Sequence, residues 1–314
     1  MKHRPSHYVE YLVMLMFQTL IRLMPLGLVV HSAKYIAFTV SFFYKIRYKT
    51  AYENLSLAFP SLNGSQKKRI IVRSYANILM SSFESYKYMF LSKKQKLEHL
   101  LVDRASIDLL HKVERTGKGC IVVGGHYGFF EAGGHYAVCR GIKCAYVVAN
   151  QKNKLTEKLI DVPREKTGIV VIHRKNMLKL LKALKNNYFV ALLSDQNAGL
   201  KQGVFVDFFE KKASTHKNPA LLALKYKIPM LIVNTKRRKK DLTKHDLTFE
   251  QIEYDDILKS GSDLEGKTIK LVQRYTKALE TRITEDPSQY WWIHKRYKTR
   301  PPKERNGQIK VKKI

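Results

Sequence analysis

The sequence predicts an α/β protein, a layered mixed sheet flanked by helices, preceded by a hydrophobic N-terminal membrane-anchor helix. Two observations predict this. From Gly117 onward short β-rich runs alternate with segments of helical period: Cys120–Val123, Ala145–Ala149, Ile169–His173, Phe189–Ser194 and Met230–Asn234. Such alternation builds a layered domain with a largely parallel or mixed sheet. The long apolar stretches, by contrast, are confined to the N-terminal third.

The first apolar stretch, residues 9–30, follows a basic start with Lys2, His3 and Arg4. A second runs from Ala33 to Tyr44 and ends at Lys45, Arg47 and Lys49. Glu10, Gln18, Arg22 and a helix-breaking Pro25 interrupt the first, so a spanning, a re-entrant and an in-plane helix are all compatible with it. No small-residue cleavage site follows, and Arg22 would break the core of a signal peptide. The stretch therefore reads as an anchor, with buried amphipathic helices as the plainer alternative. Its positive flanks suit an anionic cytoplasmic leaflet. Residues 51–91 read as amphipathic helix, Lys175–Asn187 as a helix with Leu178, Leu181 and Leu184 on one face, and 264–285 as another helix. Asn218-Pro219 reads as an N-cap followed by proline at the first helical position. The chain divides into an anchor (1–47), a globular domain (48–302) and a basic tail (303–314).

With 58 Lys and Arg against 26 Asp and Glu in 314 residues, the net charge is +32. A hydrophobic fraction of 45% excludes disorder, and three cysteines at irregular spacing exclude a disulfide scaffold. The charge favours an anionic partner: a membrane surface, a phosphorylated substrate, an acidic carrier protein or nucleic acid. No zinc-finger spacing, RNA-binding motif or clear helix-turn-helix supports the last, so no nucleic acid is expected.

Chemistry concentrates at Gly124-Gly-His-Tyr-Gly-Phe-Phe-Glu131, directly after the run Cys120–Val123. His126 should lie at the C-terminal end of a strand, where α/β folds expose reactive groups. Residues five apart on one continuous helix point about 140° apart. With His126 on the preceding turn, Glu131 can reach back to the ring and stabilise its protonated form.

Around this pair the chain resembles the late acyltransferases of lipid A biosynthesis (lauroyl and myristoyl type), within the lysophospholipid acyltransferase superfamily. The resemblance runs from about residue 8 to residue 302 in ordered blocks. They are Asn54-Leu-Ser-Leu-Ala-Phe-Pro60, the His126/Glu131 pair, His173-Arg-Lys-Asn-Met with Lys182–Lys185, Ser194-Asp-Gln-Asn-Ala-Gly199, Val204–Phe209 leading to Ala213-Ser-Thr215, and Pro287–Pro301. The last is long and rich in rare residues.

The resemblance implies a glycerol-phosphate acyltransferase-like fold over 48–302 and transfer of a fatty acyl group from acyl carrier protein to a hydroxyl of a lipid A precursor. It implies His126 as general base and Glu131 as its orienting partner, with no cofactor and no metal. Arg174 is then expected to hold a phosphate or the thioester oxyanion, or else a structural ion pair. Asp195 is expected to pair with a basic group or shape the acceptor site. Trp291, Trp292, His294, Lys295 and Arg296 are expected at a lipid headgroup, or else in a packed C-terminal element. The expected partners are acyl carrier protein, an anionic lipid acceptor and a membrane surface, on the cytoplasmic side of a bacterial inner membrane. Glu210, where glycine is expected, and Asn197, where an acid is common, depart from the pattern. Acylation of another membrane glycolipid or aminolipid is the alternative within the superfamily, and a non-catalytic basic membrane-binding protein the alternative outside it.

Overall fold

A computed structural model of the protein describes residues 4–302. Along the chain come helices α1 (Pro5–Leu23), α2 (Leu26–Phe43), α3 (Tyr48–Ala58), α4 (Gly64–Tyr88) and α5 (Lys93–His99), then β1 (Leu100–Val102) and α6 (Arg104–Glu114). Strict alternation follows: β2 (Cys120–Gly124), α7 (Ala132–Cys139), β3 (Cys144–Val148), α8 (Lys154–Lys166), β4 (Ile169–His173), α9 (Met177–Lys185) and β5 (Phe189–Leu193). A hairpin of β6 (Gly203–Phe208) and β7 (Lys211–His216) leads to α10 (Asn218–Tyr226), β8 (Met230–Arg237), β9 (His245–Gln251), α11 (Asp255–Lys259) and α12 (Leu264–Glu285).

The sheet has seven strands in the order β1-β9-β8-β2-β5-β3-β4. The β8, β2, β5, β3 and β4 strands run parallel, and β9 is antiparallel to β8. All five residues of β2 are buried, as a central parallel strand covered on both faces requires. Its side chains alternate between two cores. Ile121 and Val123 enter a core with Leu180, Ala223, Leu271 and Leu279, from α9, α10 and α12. Cys120 and Val122 enter one with Val30, Met80, Leu110 and Tyr136, from α2, α4, α6 and α7. The result is three layers.

All five expected strands form, shifted by a residue at most at their starts. The 264–285 helix forms as expected. The 51–91 helix is two, because Pro60 separates α3 from α4 and Asn63 with Gln66 makes a capping box at the new start. At α10 the cap is Lys217 rather than Asn218, which is already helical. The β1 and β9 strands of the sheet and the β6–β7 hairpin are additional. The expected anchor is a pair of helices that break at Pro25. Among the described residues, α2 alone is long and apolar enough to cross a membrane by length and composition. Leu26, Val29, Val30, Ala33 and Ala37 of α2 are nevertheless buried. The basic tail at 303–314 and the basic start at Lys2 and His3 lie outside the described residues.

One buried ion pair ties α4 to the sheet. Arg237, at the end of β8, donates Nη1 to Glu84 Oε1 at 2.9 Å and Nε to Asn77 Oδ1 at 3.1 Å. The Nε2 of His245 lies 3.0 Å from the same Glu84 oxygen. Burial pushes the Glu84 carboxyl up, but Arg237 and His245 outweigh it and hold it below the usual range. Removing one partner leaves an uncompensated buried charge. Glu84→Gln should therefore lower unfolding stability by about 3–5 kcal/mol in urea denaturation, whereas Glu84→Leu combined with Arg237→Met should recover much of that loss.

Candidate active site

The site forms where β2 and β5 lie side by side. Gly124 pairs with Leu193, so the turn after β2 and the loop after β5 leave the sheet together. His126 is on the turn and Asp195 is on the loop. Asp195 Oδ2 accepts the His126 backbone N–H at 2.8 Å, and Oδ1 lies 2.8 Å from His126 Nδ1. Asp195 is buried, while the His126 side chain is 15% exposed. Burial alone pushes the Asp195 carboxyl up. The adjoining imidazole, its two hydrogen bonds and the charge of Arg296 more than offset this and hold it below the usual carboxylate range. An ionised, acceptor-only carboxylate at Nδ1 fixes the tautomer with the proton on Nδ1 and a lone pair on Nε2. That Nε2 sits 3.4 Å from the Gln196 amide nitrogen, a long contact that a substrate hydroxyl can replace.

Aromatic rings frame the imidazole. The Trp291 centroid lies 4.7 Å away and that of Phe130 4.9 Å away. Below the ring the turn is pinned. Gly128 has φ +56°, and a Cβ there would stand 1.8 Å from the Thr235 carbonyl oxygen. Its N–H donates to Gln289 O at 3.1 Å and its carbonyl accepts from Ser81 Oγ at 2.7 Å. No side chain fits there, so α4, β8 and the C-terminal segment all close on this turn.

Glu131 does not make the expected bond to the His126 ring. It stands just before α7 without capping it through its side chain, and its carboxylate pairs with Arg164 of α8. The ring's Nδ1 is taken by Asp195, and Glu131 faces a full guanidinium charge instead. Burial works against the Arg164 charge, but Glu131 outweighs it and raises the pKa further. Tyr86 of α4 lies in the same field, and burial raises its phenol to about 12.

The terminal block wraps the site but not as expected. Trp292 is 1% exposed and donates Nε1 to Pro287 O at 2.7 Å. Arg296 is 2% exposed and donates to Ser214 O at 2.8 Å and Thr215 Oγ1 at 2.6 Å. Both are interior, which corrects their expected place at a lipid headgroup. His294 Nε2 accepts the Asn197 backbone N–H at 3.0 Å, so it holds the β5 loop. Lys295 is exposed. Arg174 is exposed just past β4, and its charge adds to burial in pushing the His216 imidazole down.

Arg164, Gln196 and Phe130 are site residues that the sequence did not single out. Of the two tryptophans in the terminal block, Trp291 is partly buried and packs on the His126 ring, while Trp292 is interior. Arg164 carried no signal, being one cation on a charged helix. Glu157, Asp161 and His173 bring ligand atoms within 4.8 Å of one another. Glu157, however, is already paired with Lys154 Nζ at 2.7 Å, and Arg164 lies 3.9 Å from Asp161. The trio therefore reads as part of a charge network extending from Glu131.

The chain matches the family model described as bacterial lipid A biosynthesis acyltransferase over residues 2–299. It is similar to the lipid A biosynthesis palmitoleoyltransferase of Escherichia coli (strain K12), 26% identical over 82% of this chain and 81% of that one. It is 23% identical to the lauroyltransferase of the same organism, over 82% and 81% of the two chains. To the myristoyltransferase it is 24% identical, over 80% and 75%.

The Asp195 carboxylate makes stability depend on pH in a defined direction. Its folded pKa is depressed, so the ionised form stabilises the fold above the unfolded value, near 3.9, and this is lost as pH falls through the folded value. The stability gap between the wild type and Asp195→Asn should be largest near neutrality and close as pH drops from about 5 towards 2 in denaturant titrations. A gap that does not change with pH would contradict the pairing.

Proposed function

The chain belongs to the bacterial lipid A biosynthesis acyltransferase family, and we propose that it moves a fatty acyl group from acyl carrier protein to a hydroxyl of a lipid A precursor. The observation that carries this reading is the His126–Asp195 pair in the loops after β2 and β5, with Nε2 engaged only by a long contact to Gln196.

In the proposed reaction the acceptor hydroxyl replaces Gln196 at His126 Nε2. Its oxygen attacks the thioester carbonyl carbon as Nε2 takes the proton. The carbon–sulfur bond then breaks, the ester forms, and the imidazolium returns the proton to the departing thiolate. Asp195 holds the ring and stabilises the imidazolium electrostatically, as a carboxylate on Nδ1 does in hydrolase triads. Direct transfer needs no acyl-enzyme. This agrees with three buried cysteines, two of which, Cys120 and Cys144, have thiols that burial pushes up to well above the ordinary value. Glu131 acts through Arg164, keeping a cation beside the His126 turn. Arg174 and Lys295 are the exposed cations offered to acceptor phosphates. The basic surface suits an acidic carrier arriving from the cytosol and an anionic leaflet on the cytoplasmic side of the inner membrane.

Mass spectrometry of lipid A from cells with and without the gene tests the function. The expected result is loss of one acyl chain, whose mass identifies the donor length. Unchanged lipid A with an altered glycolipid or aminolipid would replace the acceptor, and no lipid change at all would favour a non-catalytic membrane-binding protein.

His126→Ala should reduce turnover about 10²–10⁴-fold in a chain that still folds, with a lowered melting temperature because the buried Asp195 carboxylate loses its ring partner. Asp195→Asn should approach the same loss, because an amide at Nδ1 neither fixes the tautomer nor offsets the imidazolium charge. Turnover above about a tenth of wild type in His126→Ala would remove the general base.

Steering by exposed charge is screened over about 8 Å at physiological ionic strength. Added salt should therefore raise KM for acyl carrier protein steeply, and KM for a detergent-dispersed phosphorylated acceptor only weakly. Equal shallow dependence on salt would leave the basic surface without a role in carrier docking.

A further inference from the structure

We propose that α1 and α2 lie in the plane of an anionic membrane surface as a two-helix docking face and do not cross the bilayer. The proposal rests on the lipid-acceptor reading only for the purpose of the docking. The geometry stands apart from it.

The α1 helix is fastened to the domain along its whole length. Near its start, Asn153 Nδ2 donates to His7 O at 2.9 Å and to Glu10 Oε2 at 3.0 Å. In the middle, Gln18 Nε2 donates to Leu159 O at 3.0 Å, and Phe17 packs edge-on against Phe83 at 4.7 Å. At its end, Lys87 Nζ donates to Arg22 O at 2.8 Å. A helix held at both ends and the middle cannot swing away to span alone.

Its neighbours cannot enter hydrocarbon with it. The α8 helix beneath carries Lys154, Glu157, Lys158, Asp161, Arg164, Glu165 and Lys166. The α4 helix, against which α2 packs, carries Lys67, Lys68, Arg69 and Arg73. Spanning would drag these charges into the bilayer core, where each is expensive. In-plane docking leaves them on the water side.

The outward faces are built for an interface. Val9, Leu12, Val13, Met16, Leu20 and Leu23 are all more than half exposed, and at 100° per residue they fall within an arc of about 100°. Gln18 and Ile21, the buried residues, point the other way. On α2 the heptad-spaced Leu28, Tyr35 and Phe42 are exposed opposite the buried Val29, Val30 and Ala33, with Phe42 at 81%. An exposed apolar stripe of this size marks an interaction surface. Cations select the occupant: Arg4, Arg22, Lys45, Arg47 and Lys49 are exposed at the helix ends, as a face seated among anionic headgroups requires. The Asn153 end of α1 follows β3, so this end of the face lies at the same sheet edge as His126. Leu178, 82% exposed near the start of α9 after β4, is a further exposed apolar residue at that edge.

The three native cysteines are buried, so an introduced cysteine at the surface labels selectively. Val9→Cys, Met16→Cys and Leu23→Cys in the full chain, each carrying an environment-sensitive fluorophore, are bound to mixed phosphatidylcholine and phosphatidylglycerol vesicles. Depth is read with quenchers placed at headgroups and at chain ends. The three positions extend over about 21 Å of helix. In-plane docking gives one shallow depth for all three. A central position much deeper than both ends, or no vesicle binding by the wild-type chain, would overturn the proposal. Leu12→Glu combined with Met16→Glu should abolish vesicle flotation while leaving the melting temperature unchanged, and flotation at wild-type level would equally refute the docking face. Acyl transfer is assayed separately in detergent. An inactive protein with uniform shallow depth would sink the acyl-transfer reading and leave this one standing.

Discussion

The register that sets Gly124 of β2 beside Leu193 of β5 brings two loop starts together, and the rest of the site is organised by what that adjacency permits. Parallel strands deliver their C-terminal ends to one edge of the sheet, where connections diverge and side chains gain access to solvent. His126 and Asp195, sixty-nine residues apart, become hydrogen-bonded because their strands are neighbours. A carboxylate so deeply buried would ordinarily be costly, and it is stable here because two donors from one residue and a nearby guanidinium compensate it. The pair therefore requires a scaffold that holds both loops still.

That scaffold consists of the ordered sequence blocks, interlocked. Asn54 donates to the carbonyls of Trp292 and His294, each at 2.7 Å, so the first block holds the last. Phe59 packs against Phe209 and Trp292, joining the same segment to the β6–β7 hairpin. Arg296 bonds Ser214 and Thr215 on that hairpin, and Asn197 closes on His294 and Thr299. Trp291 N–H donates to the His126 carbonyl at 3.1 Å. These contacts hold the terminal block, the hairpin and the loop after β5 together around the turn carrying His126, which is how residues remote from chemistry set its geometry.

Much of this fold was legible from the chain because period and strand composition are local. The five central strands and α12 stand where alternation and spacing placed them. The β9 strand, rich in charge at Asp246 and Glu250, exists because β8 is beside it, and no local pattern shows that. At the site, His126 was legible as the residue after a strand, and Asp195 as another. That Asp195, and not Glu131, would meet the ring was not legible, because it depends on strand order rather than on spacing. Glu131 at the start of α7 had a closer, fully charged partner in Arg164, supplied by the crossover helix α8. Trp292 and Arg296 mark the same boundary. Their residue types suggest headgroup binding, while their burial makes them interior clamps.

The interior acids bear on the surface charge as well. Glu84, Glu131 and Asp195 are buried, and Arg237, Arg164 and Arg296 are the cations beside them. These groups cancel within the protein, so they contribute nothing to the surplus of +32. A surface with that surplus repels copies of itself and attracts polyanions over a Debye length. Attraction alone is unselective and salt-sensitive. The apolar stripe on α1 adds a contact that salt does not screen, and the two together favour a charged lipid surface over a soluble polyanion. Under the acyl-transfer reading the same division serves two substrates. Apolar surface near the His126 edge meets the lipid acceptor, and the remaining basic exterior stays in water, where an acidic carrier arrives.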